Sequence, residues 1–247
     1  LSSLHDIQTG PNAAGARETV RVFSLDSWEE THKLASISLI KLDAEGEEVN
    51  VLSGAERVLD RDDPLLLCEL KHGAAVNLPL VAWLKAHGYA LFRLVPGLNV
   101  LIPYPPDSVP EPFQLNIFAA RPKRASFLAA RGLLCQELAA RDTLPAEPHF
   151  ATLEYYALAH GVTLSCGQRA AALQHALHLA MSSIEQSPTI CRIMTMARVA
   201  SEWGLRAVAL EALKMALSTC ARGSVSLNEP FLSPCPRFDS IDPGNRL

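Results

Sequence analysis

Near residue 122 the hydrophobic pattern changes period, and that change constrains the fold more than any other feature of the chain. Before it, "ISLIKLD", "PLLLCEL", "YALFRLV" and "FQLNIFAARP" read as strands, while "EEVNVLSGAERVLDR" and "NLPLVAWLKAHG" carry apolar residues at helical spacing. "TVRVFSL" reads as a further short strand and "PGLNVLIPYPPDSVPEP" as a proline-rich loop. Alternating strands and helices predict a parallel α/β sheet. No helix separates the last two strands, so they either pair antiparallel or are joined by an irregular crossover. Beyond residue 122 the chain becomes alanine-rich and helical. "RAAALQHALHLAMSS" from Arg169 and "RAVALEALKMALSTC" from Arg206 lie 37 residues apart, and each follows a helix ending in glycine. That period predicts a helical-hairpin, tetratricopeptide-like module. Its packing seam is expected at Ala172, Leu173, Ala176, Leu177, Ala209, Leu210 and Leu213. The boundaries expected are an α/β region over 1–122, a helical module over 123–222 and an extended tail over 223–247. The tail is either a strap held through Phe231 and Phe238 or a disordered end.

Composition narrows the function. Hydrophobic residues are 49% and charged residues 19%, enough apolar material for a sizeable core. The net charge of −4 comes without a basic run, which argues against nucleic acid as the partner. No apolar run reaches the roughly 18 residues of a membrane span. The opening "LSSLHDIQTG" has neither the basic start nor the apolar run of a signal peptide. The six cysteines form no C-x-x-C pair and are expected to be reduced, buried thiols of a cytoplasmic protein. His175 and His178 are close in sequence, but no carboxylate or cysteine completes a metal-ligand set beside them.

The candidate chemistry lies in Asp43-Ala44-Glu45-Gly46, an acidic turn where the first apolar strand runs into a helix. Open α/β sheets bind ligands beyond the carboxyl ends of their strands. Asp43 and Glu45 stand at the end of the first strand. Glu69 stands at the end of the second, with Lys71 and His72 after it. If the strands are neighbours, these groups converge on one rim. Lys41 shares a strand face with Asp43. A buried lysine needs a partner, with Asp43 or Glu69 the nearest candidate; otherwise its stem packs and its amine reaches water. Glu47 and Glu48 read as helix-start acids favoured by the helix dipole, and a capping role is the alternative for Asp43.

The stretch "LIKLDAEGEEVNVLSGA" resembles the FkbM family of S-adenosylmethionine-dependent methyltransferases. Their characteristic segment reads I-K-I-D-V-E-G-x-E, followed by a helix containing L-x-G-A. Lys41, Asp43, Glu45, Gly46, Glu48, Leu52, Gly54 and Ala55 match it. "FSLDSW", through Leu25 and Asp26, is similar to the family's T-L-D segment. "PLLLCELKHG" and "NIFAARP" resemble its later strands, so the likeness covers about residues 1–122. It implies an α/β fold, the C-terminal half of a Rossmann-like class I methyltransferase sheet, followed here by the all-α helical module. It implies methyl transfer from S-adenosylmethionine to a hydroxyl on a sugar or natural product. By the same likeness Asp43 lies beside the transferred methyl group, as base or hydrogen-bond acceptor and as cofactor contact. Lys41, Glu45, Glu69 and His72 complete the implied site. The family's glycine-rich cofactor turn is absent from the sequence, so the chain is expected to be the carboxyl-terminal part of a longer enzyme acting on a small-molecule or glycan acceptor. A different class also fits: a non-catalytic scaffold whose helical module recruits a protein partner.

Overall fold

The computed structural model describes residues 21–44, 46–72, 75–105, 110–138, 147–223 and 225–238. It is a mixed α/β fold with a five-stranded sheet, followed by a helical C-terminal region. The chain divides into two compact units.

The first unit contains the described residues up to Leu91 together with Leu115–Arg124. Its helix α1 (Leu25–His32) starts where the Ser24 hydroxyl accepts a hydrogen bond from the Ser27 amide at 3.1 Å. Residues 21–24 are therefore the approach to a capped helix and not the strand expected from "TVRVFSL"; Thr19 and Val20 lie outside the described residues. Strand β1 (Leu39–Leu42) follows, then α2 (Glu48–Ser53), α3 (Glu56–Asp62) and β2 (Leu65–Glu69). The single helix expected after the acidic turn is two, broken at Gly54-Ala55. The Gly54 carbonyl accepts the Asp26 amide at 3.0 Å, and a Cβ on Gly54 would lie 3.1 Å from that of Ser24. The Asp26 carboxylate then accepts the amides of Arg57 and Val58, both at 3.0 Å. Ala55 has no side chain that can cap α3, so an acid from another element caps it.

A short hairpin of β3 (Lys71–His72) and β4 (Ala75–Val76) leads to α4 (Leu78–Ala86). Asn77 caps α4, Pro79 sits in its first turn, and Gly88 follows it at a φ of +78°. Strands β5 (Ala90–Val95), β6 (Val100–Pro103) and β7 (Asn116–Ala120) come next in the chain. Within the first unit β1 pairs parallel with β2, and β2 pairs antiparallel with β7. Leu52, Leu59, Leu66, Leu84 and Ile117 are all at most 1% exposed in its core. Burying one such side chain stabilises by about 1.5–3 kcal/mol. The first strand is not buried as its apolar run predicts. Leu39 is 54% exposed, because β1 has β2 as its sole strand partner among the described residues.

The second unit contains residues 92–114 and the described residues from Ala125 onward. β5 and β6 form an antiparallel hairpin in which Val95 faces Val100 and Phe92 faces Pro103. The segment expected to be a proline-rich loop thus contains a strand. Pro103 is its last residue, where a missing amide does least damage, and Asn99 turns the chain at a φ of +53°. After α5 (Pro122–Ala130) come α6 (Pro148–His160), α7 (Cys166–Gln186), α8 (Ile190–Trp203) and α9 (Arg206–Ala221). From α6 onward each helix packs on the next. Leu173, Ala176, Leu177, Cys191, Val199 and Ala200 lie in one continuous core with Ala209, Ala212 and Ala216. Ala172 and Ala209 join the seam as expected, but Leu210 and Leu213 do not, being 41% and 37% exposed. α9 turns its small residues towards α8, which leaves the larger ones outside.

Candidate functional site

The parallel register of β1 and β2 sets Lys41 against Leu67 and Leu42 against Cys68. The next residues, Asp43 and Glu69, therefore leave the two strands side by side. Lys41 Nζ lies 2.9 Å from Asp43 Oδ2, with side chains 60% and 46% exposed. Lys41 is thus a paired lysine in solvent, not a buried one. The hydrogen bond and charge of Asp43 raise the Lys41 ammonium above its ordinary pKa, and the Glu69 charge adds to this. The same hydrogen bond and the Lys41 charge hold the Asp43 carboxyl below its ordinary range, with a smaller contribution from Glu69. Lys41, Asp43 and Glu69 form one polar rim. Glu45 lies outside the described residues, as does the side chain of His72, whose backbone belongs to β3.

The turn is held from beneath by Glu48, which the sequence presents as an ordinary helix-start acid. Its side chain is 2% exposed. Oε1 accepts the amides of Ala44 at 3.0 Å and Gly46 at 3.2 Å, and Oε2 accepts Asn77 Nδ2 at 2.9 Å. Asn77 Oδ1 in turn accepts the Leu80 amide at the start of α4. One carboxylate thus fastens the acidic turn to the helix after β4. Gly46, at a φ of +101°, supplies the left-handed bend that brings its amide round to Glu48. The signal in the sequence was the pairing of a tight D-x-x-G turn with an acid two residues later. Glu47, by contrast, accepts a hydrogen bond from the Asn50 side chain at the helix surface.

This wiring limits what the turn can bind. The amides of Ala44 and Gly46 are already taken by Glu48, so they offer no cradle for an anionic ligand group. What the rim presents outward is a carboxylate kept ionised by a lysine, with a second carboxylate beside it. Such a group is a strong hydrogen-bond acceptor. It is a weak proton acceptor at neutral pH, because an efficient general base has its pKa near the working pH. Among the described residues no group of three histidine, cysteine or acidic side chains can hold a metal ion. Nor is any described helix long and apolar enough to cross a membrane.

Residues 5–91 match the family model of the methyltransferase FkbM domain. The matched stretch includes α1, the acidic turn, Glu48 and the strand end at Glu69, so the rim lies inside the FkbM-like region. Over that stretch, about a third of its length, the chain is similar to methyltransferase domains. No curated protein and no solved structure matches the chain.

Proposed function

We propose that the first unit serves methyl transfer from S-adenosylmethionine to a hydroxyl group of a sugar or natural product, as part of a longer enzyme. The observation that carries this reading is the exposed, lysine-paired Asp43 on a rim shared with Glu69, inside the stretch similar to FkbM domains. S-adenosylmethionine, when bound, supplies an electrophilic methyl group. The residues described here do not provide its cradle: the amides of Ala44 and Gly46 are used internally, and among the described residues no glycine-rich turn follows a strand. Their role is on the acceptor side. Asp43 accepts a hydrogen bond from the incoming hydroxyl and fixes the direction of its lone pair. Lys41 keeps that carboxylate ionised and in place. Alignment of this kind carries much of the rate in a displacement whose reacting atoms must be collinear.

The test compares two substitutions in the enzyme that transfers labelled methyl groups to hydroxylated acceptors. Asp43→Asn keeps the shape and removes the charge, and turnover should fall by about 10² through lost alignment of the hydroxyl. Glu47→Gln, on the helix surface, should leave turnover within about twofold of the parent, as surface changes do. Small, equal effects at both positions would leave the acidic turn as a helix entry and end the proposal.

A further inference from the structure

The helical unit holds residues 225–235 as an extended strap, which ends in a short 3-10 turn over Pro236–Phe238, and it holds the strap by its main chain. His149 Nε2 donates to the Pro230 carbonyl at 2.7 Å. The Leu232 amide donates to Thr195 Oγ1 at 3.1 Å, and Arg198 donates to the Ser233 carbonyl at 2.8 Å. All three helix residues are at most 2% exposed. Their polar atoms would be costly to bury without an extended backbone lying across them. Specificity comes from the side chains between these points. Glu229 meets Arg192 at 3.2 Å and also the Thr189 hydroxyl, while Phe231 and Leu232 are 6% and 4% exposed. Pro230 and Pro234 restrict the strap's backbone, so little conformational freedom is lost when it docks. Beside Ser233 lies a cavity of about 560 Å³, walled by Tyr156, His160 and Glu202 and by Pro234 and Pro236 of the strap itself.

We infer that this groove between α6 and α8 is a peptide-binding site, and that the strap is its resident occupant. The ligand it fits is an extended, proline-flanked segment of a partner protein, with an acid two residues ahead of an aromatic–aliphatic pair. Three features of the groove point to a peptide. Backbone contacts fix an extended conformation, Arg192 reads the acid, and the buried seats of Phe231 and Leu232 take an apolar pair.

The test uses the full chain with the strap weakened by Glu229→Arg and Phe231→Ala. The probe is a labelled synthetic peptide with the sequence of residues 226–236, followed by fluorescence anisotropy. The unaltered chain, whose own strap competes at high effective concentration, should bind it at least about tenfold more weakly than the strap variant. Replacing the glutamate of the peptide by arginine should weaken binding to the variant by about tenfold or more. A folded variant that binds neither peptide overturns the proposal. If the variant does not fold, hydrogen exchange of the unaltered chain decides the matter. A Leu232 amide that exchanges at least about tenfold faster than the α8 core amides supports a detachable strap, since local opening then precedes global unfolding. A Leu232 amide that exchanges with the α8 core makes the strap part of the fold and overturns the proposal.

Discussion

Glu48 of the first unit and Glu202 of the second are both largely withdrawn from solvent, and the two are satisfied in different ways. Glu48 in the first unit is held by neutral donors, two amides of its own turn and the amide of Asn77. Glu202 in the second unit sits among groups that carry or can carry charge. Arg198 Nε lies at 2.6 Å, His160 Nε2 at 2.8 Å and the Tyr156 hydroxyl at 2.9 Å. The neutral arrangement shapes a short loop and leaves the exposed rim free to set its own charge. The charged arrangement ties together segments far apart in the chain, because Arg198 reaches on to Ser233. A sheltered acid can therefore serve either as a local former of backbone or as a long-range clamp, and its donors show which.

The contrast can be broken most severely at Arg198. Its side chain is 3% exposed beside a Glu202 side chain at 12%. Arg198→Ala leaves that carboxylate without its cation, and chemical denaturation should show a loss of about 3–5 kcal/mol. A loss below about 1 kcal/mol, the value for an exposed pair, would show that water replaces the guanidinium and that the clamp is a surface contact. Glu48→Ala removes the acceptor of three donors and should cost about 1–3 kcal/mol. Faster amide exchange at Ala44 and Gly46 should accompany it; unchanged exchange there would mean that the turn holds itself.

Acid should also separate the two arrangements. Burial pushes the Glu202 carboxyl up, but hydrogen bonds from His160 and Tyr156 and the charges of His160 and Arg198 outweigh it and hold the pKa below the ordinary 4.5. The stabilisation from this group is complete above the unfolded value and is lost as pH falls through the lower folded value. The thermal midpoint of the second unit should therefore drop on acidification below about pH 4.5, and a flat profile there would deny the clamp its charge. The smallest effect on stability is expected at Lys41, whose pair with Asp43 is exposed and screened by solvent. Lys41→Gln should leave the denaturation midpoint almost unmoved, so any loss of turnover would report on the rim and not on folding.

The sequence showed most clearly those elements whose signals are local. β2 is a short apolar run opened by proline, and α4 carries Asn77, Pro79 and Gly88 at its boundaries. The α6–α9 series follows from an alanine-rich helical period. What stayed hidden depends on partners far away in the chain. β6 lies within a proline-rich stretch, and its strand character comes from pairing with β5. The break between α2 and α3 reflects the close approach of Ser24 to Gly54. Of the candidate site, the convergence of Lys41, Asp43 and Glu69 was legible, because alternation and strand ends fix where such residues stand. Glu48 was legible as a match to the FkbM-like segment, but its role as the acceptor of the turn amides was not, since helix-start acids look alike until Asn77 closes over one of them.

The capping of α3 by Asp26 also bears on how the first unit folds. α3 has seven residues, too few to persist as an isolated helix in water. Its first amides find their acceptor on a residue 31 positions earlier. The chain between must close into a loop before the helix start is satisfied, and that closure carries an entropic cost that helix propagation does not. The capped start of α3 is therefore complete only once the α1 segment has arrived.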